Sequence, residues 1–79
     1  MYKRQVIDIC NEALKVEPNL VEFYIILIRG YAYIELNKYE RAIKDFSTAI
    51  ALNPNYAGAY VNRGIAYSEI HRYEESARD

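Results

Sequence analysis

The side chains that could do chemistry are few and scattered. His71, the only histidine, stands three residues before Glu74 and four before Glu75, a spacing at which an imidazole and a carboxylate can share a proton or a metal ion. It lies in the polar stretch His71-Arg72-Tyr73, however, where a solvated turn histidine is expected. Cys10, the only cysteine, could act as a nucleophile, but no base accompanies it and the expectation is an inert buried thiol. One thiol excludes an intrachain disulfide and a thiol metal clip. The chain has no Gly-rich phosphate loop and no paired metal-ligand signature. Arg29 and Arg63 interrupt otherwise apolar faces, and Asp45 and Asp79 follow them at one and the same interval. In an antiparallel helical hairpin that interval could bring Arg29 to Asp45 in a charge-assisted hydrogen bond; the alternative is that both groups reach solvent independently. These groups do not converge, so neither catalysis nor a cofactor or metal is expected.

Composition narrows the function classes further. Ten Lys and Arg against eleven Asp and Glu give a formal net charge of −1, which removes the long-range attraction to phosphate on which nucleic-acid binding depends. Nine tyrosines could stack on bases, but without a basic groove they read as core and groove-wall residues. The longest strongly apolar run, at residues 24–28, is far below the roughly 20 residues that span a bilayer. Asp8, Asn11 and Glu12 break any apolar core of a signal segment. The expectation is a soluble, untargeted, cytoplasmic protein with no membrane or nucleic-acid partner. At 79 residues it makes one small domain at most, burying about 60% of the surface of its unfolded chain.

The elements that must position these residues follow from a repeat. Arg-Gly-Tyr-Ala-Tyr at residues 29–33 returns as Arg-Gly-Ile-Ala-Tyr at residues 63–67, and Glu35, Tyr39, Glu40 and Asp45 recur at the same offset as Glu69, Tyr73, Glu74 and Asp79. The interval from Pro18 to Pro54 exceeds that offset by two, so two additional residues lie between Pro18 and Arg29. Within a unit the spacing is helical: Ile26, Arg29, Gly30 and Tyr33 share one face, as do Ala42, Phe46, Ala49 and Ile50. Polar breaks at Asn37-Lys38-Tyr39 and His71-Arg72-Tyr73, and the proline of Asn53-Pro54-Asn55, divide the helices. Helices are expected near residues 3–16, 21–36, 40–52, 57–70 and 73–79, and no strand pattern competes.

This arrangement resembles the tetratricopeptide repeat family, whose helix-turn-helix unit is about 34 residues long. The motif positions are Gly30, Tyr33, Ala42, Phe46, Ala49 and Pro54, with Ile26 where a large aromatic is usual. Tyr60, Gly64, Ala66, Tyr67 and Tyr73 fit the next unit, and Ser76 stands in place of Ala. Val6, Cys10, Ala13 and Pro18 fit an upstream second helix. The fold implied is an all-α solenoid of antiparallel hairpins, about two and a third repeats with incomplete ends. Residues 1–18 would be the second helix of a partial repeat, 19–56 a complete repeat with the two-residue insertion, and 57–79 a further partial repeat. Small Gly30, Ala32, Ala42 and Ala49 let helices approach, with Tyr33 and Phe46 filling between them; Gly64 and Tyr67 take the same structural roles one unit later. Uncapped ends suggest either a piece of a longer array or head-to-tail assembly of identical chains.

In this family the first helix of each unit lines a concave groove that receives a peptide or helix of another protein. Carried over by position, the lining is Leu27, Tyr31, Ile34 and Glu35, then Val61, Asn62, Ile65, Ser68 and Glu69. Leu27, Tyr31 and Ile34 make the helix apolar on a second side, so it is either sandwiched between neighbours or exposes an apolar groove. Asn62, within Asn62-Arg63, sits where some members hold a carboxylate, but the Lys, Arg and second Asn of such a clamp are missing, with Leu27 and Tyr31 in their stead. The function implied is a protein-interaction scaffold. The alternative is a structural module that forms homo-oligomers through open solenoid ends.

Overall fold

The computed structural model describes residues 2–16 and 22–78. Four helices follow one another: α1 (Tyr2–Val16), α2 (Glu22–Glu35), α3 (Tyr39–Leu52) and α4 (Ala57–Arg78). Among the described residues there is no strand, and the fold is all-α. Pro18, the start expected for the second helix at residue 21, and Asp79 lie outside the described residues. Helix α1 packs on α2, α2 on α3 and α3 on α4, and α2 also touches α4, as expected of stacked antiparallel hairpins.

The α2–α3 turn follows from its backbone bonds. Lys38 N–H donates to the Tyr33 carbonyl (2.8 Å) and Asn37 N–H to that of Ile34 (2.9 Å), the paired bonds that close a helix C-terminus when the residue after the cap turns left-handed. Asn37 takes that role with φ 59°, a conformation asparagine tolerates better than most residues. Its side-chain oxygen accepts a bond from the Tyr39 hydroxyl at 2.8 Å. After α3, Asn53 caps the helix through its N–H to the Ala49 carbonyl (2.9 Å), and its own carbonyl accepts from Tyr56 N–H; Pro54 sits exposed in this turn, where its missing N–H leaves no bond unmade.

The core lies between α2, α3 and the start of α4. Ile26, Leu27, Ala42, Phe46, Ala49 and Ala59 are buried together, with Leu14, Phe23, Tyr33, Ile34 and Ile50 packed around them. Gly30 is buried because a Cβ there would stand 3.0 Å from the Phe46 ring. Small against large is the arrangement the repeat pattern predicts.

Two expectations need correction. No turn forms at His71-Arg72-Tyr73: α4 runs unbroken from Ala57 to Arg78. A histidine would have to take the left-handed position that Asn37 holds, at about 1–2 kcal/mol. Staying helical, His71 meets Glu75 (2.6 Å) and Arg72 meets Glu69 (2.6 Å) along one helix. The second correction concerns Gly64 and Tyr67, expected as packing residues. Tyr67 is 55% exposed, and a Cβ on Gly64 would meet nothing within 4 Å, because no described helix covers this face of α4.

Equivalent glycines should therefore respond oppositely. Gly30→Leu is expected to lower stability by about 1–3 kcal/mol through overpacking against Phe46. Gly64→Leu should raise it by up to about 1 kcal/mol through helix propensity. Urea unfolding of both variants checks this; equal signs would refute the difference in packing.

Candidate functional site

The repeat read from the sequence makes α2 and α4 the expected first helices of their units, and the two helices touch. Tyr31 is 37% exposed, Val61 60% and Ile65 47%. Glu35 and Ser68 are exposed, while Asn62 and Glu69 are half-buried. Leu27 departs from expectation: it is 4% exposed and belongs to the core, and Ile34 also packs against that core. Leu27 is thus sandwiched and offers no groove surface, because the second apolar side of α2 is used by neighbouring helices.

Tyr31 joins the two helices. Its ring meets Phe46 edge to face at 5.5 Å between centroids, so the core fixes its position. Asn62 Nδ2 lies 3.5 Å from its hydroxyl and donates to the Gly58 carbonyl at 2.7 Å. Burial, and then a hydrogen bond with Tyr56, push the Tyr31 phenol above its ordinary range. Both amide bonds of Asn62 are internal, a different use from holding a partner's carboxylate.

Sequence reasoning passed over Tyr24 and Ile28, which are exposed on α2. The signal was available: Ile28 holds in its unit the position that Asn62 holds in the next, and so shares its register. An open, mostly apolar cleft between α1 and α2 is lined by Tyr2, Val6, Ile28, Tyr31 and Glu35, with Lys3 closing its end on Glu35 at 3.1 Å. The acidic residues beside this surface are both paired, Glu35 with Lys3 and Glu69 with Arg72.

Behind the surface, Arg29 braces three helices. Its Nε donates to Asp45 Oδ2 (2.8 Å), its Nη2 to Asp45 Oδ1 (2.6 Å) and its Nη1 to Asn11 Oδ1 (2.9 Å). The hydrogen bond to Asp45 raises the guanidinium further above its already high value. The expected Arg29–Asp45 contact thus forms, and Asn11 of α1 completes it. Cys10 lies nearby and buried; desolvation pushes its thiol up, against the opposing effect of Arg29, which suits an unreactive side chain. His71 is exposed and pairs with Glu75. Among the described residues no group of three or more His, Cys, Asp and Glu could hold a metal ion, and no helix is long and apolar enough to cross a membrane.

Comparison with known proteins agrees with this architecture. The DnaJ homolog subfamily C member 7 homolog of Dictyostelium discoideum is 32% identical over 74 residues, a match that covers 91% of this chain and 14% of that protein. The chain therefore spans about 14% of the length of this curated relative. No solved structure matches. A family model described as TPR repeat matches residues 30–70, from the buried Gly30 through α3 and most of α4. With its repeat period, small-against-large packing and sequence match in agreement, the chain belongs to the TPR repeat family.

Proposed function

We propose that the chain binds a segment of another protein on the joint surface of α2 and α4. TPR repeats are in general protein-interaction modules, and the observation that carries the finer reading is the exposure of Tyr31, Val61 and Ile65 on two touching helices. Large apolar side chains held on a rigid frame favour binding because little conformational freedom is lost when a partner docks. The neighbouring carboxylates are already paired, so the contact is chiefly apolar and suits an amphipathic helix or an extended apolar peptide. Tyr31, anchored by Phe46 and flanked by Asn62, combines apolar area with a polar tip and is the expected hot spot.

A test is to select binders from a random-peptide display library and measure their affinities by fluorescence anisotropy. Tyr31→Ala and Ile65→Ala should each weaken a selected peptide by about tenfold, a hot-spot loss, with helicity by circular dichroism unchanged. Unchanged affinities in both variants would remove this surface from the reading.

A further inference from the structure

The Arg29 guanidinium is not used up by the helices it braces. Of its five N–H groups, two are bound by Asp45 and one by Asn11 among the described residues, which leaves two. It forms part of the wall of an open pocket of about 230 Å³ between α2 and α3, lined by Arg29, Tyr33, Arg41, Lys44 and Asp45. Arg41 and Lys44 stand one turn apart on α3, on the same side of the helix. Both are exposed, and among the described residues neither enters an ion pair. The acid in the lining, Asp45, is buried with both oxygens held by Arg29. Three cations against this one carboxylate leave the lining with a formal charge of +2. Tyr33 is fixed as a wall, its ring packed against the core and facing the Arg29 guanidinium at 6.0 Å. The pocket lies within the α2–α3 hairpin, and both helices of that hairpin are described.

We propose that this pocket binds a phosphate group, with Arg41 and Lys44 supplying charge and the spare N–H groups of Arg29 supplying directed hydrogen bonds. A phosphate monoester carries close to two negative charges and three acceptor oxygens at neutral pH. That matches both the charge of the lining and its three cationic donors, whereas a carboxylate, with one charge and two oxygens, would leave part of each unmatched. Arg29 is held in place by Asp45 and Asn11 before any ligand arrives, so little of its freedom is lost on binding. The chain's total charge of −1 withholds long-range steering, but contact with a single phosphate depends on the groups within a Debye length, roughly 8 Å. Tyr33 is two residues along α2 from Tyr31 and so on the opposite side of the helix. The pocket is therefore separate from the Tyr31 surface and does not rest on the function proposed for it.

The probes are inorganic phosphate and N-acetyl-phosphoserine amide, each titrated into the full chain at constant ionic strength. Binding is followed by NMR, through the backbone amides of α3 and the Arg29 Nε–H. Saturable shifts are expected with both probes, half complete on the order of 1 mM. Tighter binding of the phosphoserine derivative would identify a phosphorylated side chain as the natural source, and equal binding a free phosphate; both results support the site. Arg41→Met and Lys44→Met should each weaken binding about tenfold, as loss of a charge-assisted hydrogen bond implies. Both positions are exposed, so the variants stay folded, and circular dichroism checks this. Lys15→Met makes the same change of charge at an exposed position of α1 that is not part of the lining, and should leave binding unchanged. Equal weakening by Lys15→Met would reduce the effect to diffuse charge and overturn the proposal. Acetate binding as tightly as phosphate would overturn it in favour of a carboxylate site, and shifts that fail to saturate with either probe would remove the site altogether.

Discussion

Phe46→Ala should lower the unfolding free energy by about 3–5 kcal/mol, the largest single loss expected in this chain. Phe46 is 0% exposed and is the one large side chain fully enclosed among the described residues. It lies against Gly30 on α2 and meets Tyr31 edge to face, in a core that also includes Ala42, Ala49 and Ala59. The glycine and alanines of this core have no length to refill the vacated space, and Ile26, Leu27 and Tyr31 can relax into it only in part. Domains of this size have stabilities near the low end of about 5–15 kcal/mol, and the variant should populate the unfolded state measurably without denaturant. Urea unfolding followed by circular dichroism gives the number, with Phe46→Leu as the milder control at about 1 kcal/mol. A loss below about 1 kcal/mol for the alanine variant would mean that Phe46 does not join the helices as described.

The second large effect concerns Arg29. Its substitution by Met leaves Asp45 buried without its guanidinium, and breaking a buried pair from one side costs about 3–5 kcal/mol. The lower value is expected because Arg29 is only partly buried and water can reach the vacated space. Asp45→Asn should cost less, since an amide can still bond the guanidinium. The double variant should recover part of the loss, giving a coupling energy above about 1 kcal/mol in the cycle. High salt should change the result little, because screening acts weakly on a buried pair. Additive single losses would show that the two side chains do not act together.

Arg29–Asp45 was legible in the sequence because an antiparallel hairpin with a short turn fixes which residues face each other, and the interval between these two falls opposite. Ala42, Phe46 and Ala49 were legible for the same reason: the helical period and the alternation of small and large side chains specify a face, and a neighbouring helix was there to meet it. Gly64 and Tyr67 carry the same local pattern, but among the described residues no helix meets them, so the identical signal yields an open surface there. Residue type describes what a face can pack against; it does not reveal what is present. Leu27 failed differently, since an apolar residue on the second side of α2 suits both a groove wall and a sandwiched contact, and only the position of the other helices decides. The His71 turn was misread because Tyr73 and Glu74 repeat Tyr39 and Glu40 while His71 replaces Asn37, the residue that bears the left-handed backbone of the first turn.

The order in which the helices touch has a consequence for how the chain acquires its structure. Among the described residues, helices adjacent in sequence are adjacent in space, the longest reach being from α2 to α4, so no contact between these helices requires distant parts of the chain to find one another first. Proteins built from such short-range contacts have low contact order and fold on microsecond to millisecond timescales. The same linearity lets structure begin at the α2–α3 hairpin and spread outward in both directions, and lets it be lost in reverse. Amide protons of α1 and of the far end of α4 should therefore exchange with solvent through local openings, while those around Phe46 wait for the whole chain to unfold.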